Sequence, residues 1–339
     1  MTILVTGGCG FIGSITCVEL LQARHTPIIV DSLVNSETSS LDAIERITGE
    51  KPIFYKADIR DSASLSDIMS EHEVEAVIHF AALKAVGESV QQPLRYYDNN
   101  IAGLISLLSA MQTTDVKKLI FSSSCTVYGE PDTVPVNENA PLQKTTNPYG
   151  ETKQMAERII ADVAEATDLQ AVNLRYFNPI GAHESGELGE LPLGPPNCLV
   201  PYLTQSVAGL RPPLTVFGND YDTPDGSCIR DYIHVVDLAK AHLKAAEFLD
   251  SSDEQVTFFN IGTGRGVSVF ELISSFEKVN NTKVDYVVGD RRPGDVPVVF
   301  GDPSKARKQL GWKAEKSLDD ALRDAWNWQL HLAKNSKHN

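Results

Sequence analysis

The stretch Thr2-Ile-Leu-Val-Thr-Gly-Gly-Cys-Gly-Phe-Ile-Gly13 decides the fold of this 339-residue chain. Its first part is short, apolar and β-branched, which predicts a buried first strand. Glycines at the spacing that follows permit a tight turn, close approach of the backbone to a pyrophosphate, and close packing of helix on strand. The start of the next helix favours phosphate charge. The stretch therefore predicts a dinucleotide site at the first strand-to-helix turn.

Strand-like and helix-like segments alternate regularly after this turn. The alternation, with mostly short connections, predicts an α/β fold, namely a Rossmann-like doubly wound parallel sheet covered by helices on both faces. Apolar, β-branched runs mark strands at 3–6, 27–31, 52–55, 76–80, 118–122 and 171–176. Helical spacing of apolar residues marks 12–24, 39–48, 62–71, 88–112 and 148–166.

A smaller region follows residue 176, where this regularity ends. Gly, Pro and Glu crowd 178–196, and a long segment without periodicity in a compact chain is typical of a functional loop. A C-terminal α+β substrate-binding region is predicted from strands at 214–217, 258–261 and 284–288 and helices at 235–249, 267–278 and 316–333. The predicted division is a dinucleotide-binding domain at 1–176, a substrate region at 177–333 with some crossing back, and a disordered tail at 334–339.

Composition excludes several classes of partner. The 45 acidic and 30 basic side chains give a formal net charge of −15 without any basic run, which argues against nucleic acid or an anionic membrane. The N-terminus has no basic segment, and no stretch approaches the ~18 apolar residues of a membrane span. The five cysteines are scattered and the histidines dispersed, so we expect a cytoplasmic protein without a metal site.

Acidic and small residues follow several of the predicted strands. Asp31 ends the second strand, where a carboxylate can accept hydrogen bonds from the adenosine ribose. The following Ser32-Leu33-Val34 offers no arginine for a 2′-phosphate, so NAD is favoured over NADP. Asp58 and the segment 80–82 also come at carboxyl ends of strands, the edge at which ligands bind an open parallel sheet.

A hydroxyl, a phenol and an ammonium are predicted to meet at the same edge. Ser122-Ser123-Ser124 ends a strand, and Tyr149 and Lys153 are one turn apart on a helix that Pro148 can open. A tyrosine with an ordinary pKa near ~10 is a poor base unless a nearby cation favours its phenolate. With NAD present, the phenolate takes a hydroxyl proton while the nicotinamide takes the hydride from the same carbon.

These motifs resemble the extended short-chain dehydrogenase/reductases, and longer blocks resemble the UDP-glucose 4-epimerases among them. The similarity runs from Met1 to about Trp328, and its most specific blocks are 80–89, 122–129, 174–179, 217–221, 230–234 and 291–295. The resemblance implies an isomerase of galactose metabolism. It would oxidise C4 of UDP-galactose or UDP-glucose with tightly held NAD, let the 4-keto sugar turn over, and return the hydride. The resemblance also implies a homodimer through helices at 88–112 and 148–166.

The resemblance assigns roles to individual residues. The catalytic residues would be Ser124, Tyr149 and Lys153. The NAD site would comprise Gly7, Gly10, Phe11, Ile12, Gly13, Asp31, Asn35, Ser36, Asp58, Ile59, Phe80, Ala81, Ala82, Lys84, Asn99, Ser122, Tyr149, Lys153 and Phe177. The UDP-sugar would be held by Lys84, Ser124, Tyr149, Asn178, Cys198, Leu199, Thr215, Val216, Phe217, Arg230, Tyr232, Arg292, Asp295 and Val299. Arginines suit a diphosphate, and Phe217 offers an apolar platform for uracil.

Two positions depart from the family pattern and affect the substrate. Cys198 stands where the family usually has asparagine, which removes an expected hydrogen bond. Val299 stands where the family often has tyrosine, and its smaller side chain leaves room for N-acetylated UDP-hexosamines. The sequence leaves open whether such sugars are accepted and which direction the reaction takes.

Two other functions compete with epimerisation. Nucleotide-sugar 4,6-dehydratases share the fold and the Tyr/Lys pair but typically place an Asp-Glu pair after the serine strand, where this chain has Cys125-Thr126. A noncatalytic NAD-binding regulator would need the glycine turn but not Ser124, Tyr149 and Lys153 together. Both alternatives are disfavoured by these residues.

Overall fold

A computed structural model describes residues 1–292 and 294–335 of the chain. The described part contains fourteen strands and eleven α-helices. The strands are β1 Thr2–Thr6, β2 Thr26–Asp31, β3 Ile53–Lys56, β4 Ala76–His79, β5 Lys118–Ser124, β6 Gln170–Tyr176, β7 Asn178–Ile180, β8 Leu214–Phe217, β9 Ile229–Arg230, β10 Tyr232–His234, β11 Val256–Ile261, β12 Val267–Ser268, β13 Tyr286–Gly289 and β14 Val298–Val299. The helices are α1 Phe11–Gln22, α2 Ser39–Thr48, α3 Ser62–Glu71, α4 Val86–Gln91, α5 Pro93–Tyr97, α6 Gly103–Thr113, α7 Pro148–Ala166, α8 Leu199–Val207, α9 Val235–Ser251, α10 Val269–Asn280 and α11 Leu318–Asn335.

A seven-stranded parallel sheet forms the centre of the fold, in the order β11-β6-β5-β4-β1-β2-β3. Its strands other than the edge strand β3 are largely buried, because one apolar core lies under α1, α2 and α9 and a second lies under α3, α6 and α7. The strand order reverses between β1 and β4, the position at which doubly wound folds open a ligand crevice. The predicted doubly wound α/β class is confirmed.

The region after β6 does not form a separate half. β7 leaves the sheet, whereas α9 packs on α1 and β11 returns to pair with β6 along six residues. The remaining small strands form a parallel pair β8-β13, a pair β7-β10 and a three-stranded sheet β12-β9-β14. Helices α8, α10 and α11 cover them around a third apolar core. The crossing back that the sequence indicated is therefore a whole strand and a whole helix.

Several predicted element bounds need correction. The predicted helix at 88–112 is interrupted at Gln92, before Pro93, and a π-helical turn at Asp98–Ala102 joins α5 to α6. Helix α8 was not predicted, because it lies beside a Pro- and Gly-rich segment. Helix α11 extends to Asn335, two residues into the predicted disordered tail, and 336–339 lie outside the described residues.

The absence of a side chain at Gly13 allows α1 to pack closely on the turn that follows β1. A Cβ built on Gly13 lies 2.3 Å from the carbonyl oxygen of Gly7, a backbone atom that cannot rotate away. We expect Gly13→Ala to lower the free energy of unfolding by about 1–3 kcal/mol, measured by urea denaturation. In Gly87→Ala the new methyl meets nothing within 4 Å, so this control should be as stable as the parent. Equal stability of the two variants would contradict the close packing.

Candidate functional site

The turn between β1 and α1 forms a cradle of backbone amides. Gly7 has a φ of +72°, and a Cβ there would lie 2.7 Å from the amide nitrogen of Ala81. Gly10 precedes α1 without a side-chain cap, so amides of the first helical turn remain available to an anion. Because a Cβ would fill this space, the glycines fit the diphosphate of a dinucleotide.

Asp31 is fixed beside this cradle. Its carboxylate accepts hydrogen bonds from the backbone amides of Cys9 at 3.0 Å and Leu33 at 2.9 Å. It also accepts one from the hydroxyl of Ser36 at 2.8 Å. The structure therefore brings Asp31, Ser36 and the glycine turn together, as the sequence predicted. A carboxylate held at the end of β2 fits a ribose diol.

The segments after β3 and β4 lie at the same carboxyl edge of the sheet as Asp31. Asp58 is half-buried and forms an ion pair with Arg60 at 2.6 Å, and this pairing lowers the pKa of the carboxyl. Asn99 lies in the π-helical turn, a distortion that often marks functional sites. Its neighbour Asn100 accepts a hydrogen bond from the Leu83 amide at 2.9 Å, which fixes the 80–84 segment against that turn.

The three predicted catalytic residues meet at the carboxyl end of β5. Asn147 caps α7 by accepting from the Gly150 amide at 2.9 Å, so the helix begins at Pro148. The Lys153 ammonium donates to the Ser122 carbonyl at 2.6 Å and lies 5.9 Å from the centre of the Tyr149 ring. The Ser124 hydroxyl accepts from the amide and the hydroxyl of Thr126 at 3.2 and 3.0 Å. The trio predicted from spacing is therefore assembled.

Burial opposes the charged forms of both members of the Tyr149/Lys153 pair. It raises the pKa of Tyr149 to about 12, against smaller opposing effects of Ser124 and Lys84. It lowers the pKa of Lys153 to about 7, and only Glu157 acts against it. The cation that lowers the pKa of Tyr149 is Lys84, so the expectation that Lys153 supplies the cation for the phenolate stays a prediction. A further positive charge at the site, such as an oxidised nicotinamide ring, suits this environment.

A second group of charged and aromatic residues lies on β8, on β9 and between β13 and β14. Asp295 pairs with Arg292 at 2.7 Å and faces Arg230 at 3.9 Å. The guanidinium of Arg292 lies 5.6 Å from the centre of the Phe217 ring. Two arginines beside an exposed aromatic ring fit a nucleoside diphosphate, since guanidinium forks match phosphate oxygens and the ring matches a base.

Val299 lies next to this group of arginine and aromatic side chains. The pairing of β14 with β9 places it directly beside Arg230, and its side chain is buried. Cys198 precedes α8 and is exposed, and Leu199 begins that helix. The Lys84 ammonium pairs with Glu190 at 2.9 Å, so the 178–196 loop contacts the cofactor side of the cleft.

Three predicted site residues pack their side chains into the protein. The ring of Phe177 packs so closely on Gly301 that a Cβ there would lie 2.2 Å from it. The side chains of Val216 and Tyr232 belong to the third apolar core. The remaining predicted residues lie on strands or on the segments that follow them: Asn35, Ile59, Ala82, Asn178 and Thr215.

Three residues near the site were not predicted from the sequence. Thr126 contacts Ser124, and Glu190 pairs with Lys84. The buried hydroxyl of Tyr176, two strands from β4, has no hydrogen-bond partner among the described residues. An unsatisfied buried hydroxyl beside the trio fits the polar amide of a nicotinamide. The only signal in the sequence was that Tyr176 ends a strand at the ligand edge.

Neither a metal centre nor a membrane segment is found in the part of the chain that the structure covers. Residues 1–292 and 294–335 contain no group of three His, Cys, Asp or Glu side chains that could hold a metal ion. No helix in the same ranges is long and apolar enough to cross a membrane.

Comparisons with known proteins identify close relatives over nearly the whole chain. The profile of the family described as GDP-mannose 4,6 dehydratase matches residues 4–325. A UDP-glucose 4-epimerase of Dictyostelium discoideum is 51% identical over 328 residues, covering 96% of this chain and 95% of that protein.

Two solved structures are similar in both sequence and fold. The UDP-glucose-4-epimerase of Stenotrophomonas maltophila, with bound NAD and formylated UDP-arabinopyranose, has a TM-score of 0.96 at 50% identity and 99% coverage of both chains. The UDP-glucose 4-epimerase of Bifidobacterium longum, in complex with NAD+ and UDP, has a TM-score of 0.94 at 48% identity and 98% coverage of both chains.

Proposed function

Because this chain belongs to the UDP-glucose 4-epimerase family, we propose that Ser124, Tyr149 and Lys153 carry out its proton transfers at the sugar C4 hydroxyl. The chain is an NAD-dependent isomerase that interconverts UDP-galactose and UDP-glucose. One observation carries the residue assignment. A phenol, a serine hydroxyl and a buried ammonium that donates to the Ser122 carbonyl meet at the ligand edge of the sheet.

The cofactor residues are the glycine turn, Asp31 and the segments that follow β3 and β4. These residues would hold NAD, which would supply a reversible hydride acceptor for C4, so that no net oxidation results. Tyr149 takes the proton of the 4-hydroxyl, directly or through Ser124. It gives the proton back to the 4-oxygen when the hydride returns to the opposite face of C4. Lys153 stabilises the phenolate between these two transfers.

The nucleotide-sugar side of the cleft is formed by the arginine and aromatic group. Arg230 and Arg292 neutralise the diphosphate, and Phe217 stacks on the uracil ring. Asp295 holds the two guanidinium groups in register by accepting from Arg292 at 2.7 Å. Anchoring only the nucleotide leaves the hexose free to turn over, which the return of hydride to the other face requires.

The dehydratase alternative is disfavoured although the matching family profile carries a dehydratase description. That chemistry needs an acid and a base after β5. Cys125 and Thr126 occupy those positions, and burial raises the pKa of Cys125 to about 12. Thr126 is engaged in donating to Ser124. A noncatalytic regulator would not need the assembled trio.

We also infer a cytoplasmic homodimer with two interlaced regions. Scattered free cysteines suit a reducing compartment. Each of the helices α4 to α7 carries an exposed apolar side chain, namely Val90, Leu94, Ile105 and Met155. Exposed apolar side chains on neighbouring helices suit a self-complementary interface.

Tyr149→Phe removes the proposed base while keeping the ring. We expect turnover of UDP-galactose to fall by at least about a thousandfold, the order expected for loss of acid-base catalysis, while NAD remains bound. Turnover is measured by following UDP-glucose formation, and NAD by its release on denaturation. Tyr286→Phe, at an exposed tyrosine of β13, is the matched control and should be fully active. Turnover at the parent rate in Tyr149→Phe would refute the assigned base.

Val299→Tyr tests the size of the sugar pocket. We expect the parent enzyme to epimerise UDP-N-acetylglucosamine and the variant to lose this activity, because the larger ring fills space beside Arg230. UDP-galactose should remain a substrate of both. The 4-epimers are separated and measured by chromatography. If neither protein acts on the N-acetylated sugar while both act on UDP-galactose, the hypothesis of a wider pocket is wrong.

Leu94→Glu tests the dimer interface. The side chain of Leu94 is 81% exposed, so a charge there leaves the protomer fold intact but is costly inside an apolar interface. We expect the parent to have the mass of a dimer by light scattering and the variant to have that of a monomer. Leu210→Glu, at an exposed leucine outside these helices, should remain dimeric. A parent of monomeric mass would exclude the dimer.

A further inference from the structure

A buried ion pair lies directly beneath the catalytic trio. The Glu157 carboxylate accepts from the Arg175 guanidinium through Nε at 2.9 Å and Nη2 at 2.7 Å, and from the Ser123 hydroxyl at 2.5 Å. Both charged side chains are buried, with 4% of the surface of Glu157 and 5% of that of Arg175 exposed. Arg175 also donates to the hydroxyl of Tyr128 at 3.1 Å.

Glu157 lies one helical turn beyond Lys153 on α7. The spacing places the two side chains on the same face of the helix, toward the end of β5. Lys153 donates to the carbonyl of Ser122, and Glu157 accepts from the hydroxyl of the next residue, Ser123. The ammonium and the carboxylate are therefore held on adjacent residues of one strand.

Among residues 1–292 and 294–335, Glu157 is the one carboxylate that shifts the pKa of Lys153. From β4 Lys153 faces His79, whose pKa burial and the lysine charge lower to about 3, so that the imidazole is neutral at physiological pH. From β5 it faces Ser122 and the ring of Phe121, and from its own helix Tyr149 and Glu157. Arg175 reaches Glu157 from β6. Glu157 is the group that raises the pKa of Lys153 against burial.

We propose that Glu157 is a positioning residue for catalysis. Its buried carboxylate, anchored on Ser123 one helical turn from Lys153, favours the ammonium form of that lysine, and Arg175 limits the strength of this effect. The proposal rests on the proposed role of Lys153. A buried ion pair contributes little net stability, so a role for its charge explains its presence beside the trio.

The sign of the pH dependence follows from which charge is removed. Burial lowers the pKa of Lys153 to about 7, so its charge is complete below that pH and is lost as the pH rises through it. Glu157→Gln removes the favourable charge and leaves Arg175, so the lysine must titrate at lower pH. Arg175→Met leaves the carboxylate facing the lysine alone, so the lysine must titrate at higher pH.

The experiment measures the titration of Lys153 itself. NAD-loaded enzyme carrying 13C at the lysine Cε positions is titrated by NMR, and the Lys153 resonance is assigned by its loss in Lys153→Arg. We expect the midpoint to fall by about one pH unit or more in Glu157→Gln and to rise by a similar amount in Arg175→Met. The alkaline limb of the pH profile of kcat should move in the same two directions.

Glu165→Gln provides a matched control, since it removes an exposed glutamate from the same helix and should leave the midpoint unchanged. A purely structural pair predicts that both variants melt at lower temperature with the same midpoint, and that result overturns the proposal. If Glu157→Gln fails to fold, Arg175→Met alone decides: a titration midpoint of Lys153 that falls or does not change overturns the proposal. Because the NMR midpoint needs no turnover, it stays informative if Tyr149 proves not to be the base.

Discussion

The hydrogen bond from the Lys153 ammonium to the Ser122 carbonyl is the contact on which the site depends. At 2.6 Å it fastens the first turns of α7 to the end of β5, and with them the phenol of Tyr149 to the hydroxyl of Ser124. Neither element could shift without exposing a buried amine to an apolar surround, which is costly. The same bond orients the ammonium but does not by itself keep it protonated, so geometry and charge are supplied by different neighbours.

The electrostatic balance of the site follows from that separation. The chain without ligands disfavours both a phenolate and an ammonium, because desolvation outweighs every polar contact. Near neutral pH the charged and neutral forms of Lys153 are close in free energy, whereas Tyr149 is strongly held in its neutral form. A positive charge beside Tyr149 lowers the pKa of its phenol, as Lys84 does, and so favours the phenolate.

Local patterns predicted most of the fold, and long-range packing decided what they missed. The glycine turn, the strand ends and the Tyr149/Lys153 spacing are readable because each acts within a few residues. Phe177 could not be read in the same way, since Gly262 and Gly301 decide where its ring packs. Glu190 could not be predicted either, because its ion-pair partner Lys84 lies 106 residues away in the sequence. The charge states of the trio depend on burial by all these elements together, which no spacing encodes.

The return of β11 and α9 to the first region determines where the chain can be divided. A fragment ending at Tyr176 would leave β6 with a free edge of unpaired backbone and the α1 face of the sheet uncovered. The central sheet is thus completed by sequence that lies beyond β10. Because of this interlacing, the region after β6 cannot be removed as a unit without opening the sheet, whereas a single residue such as Val299 can be replaced on its own.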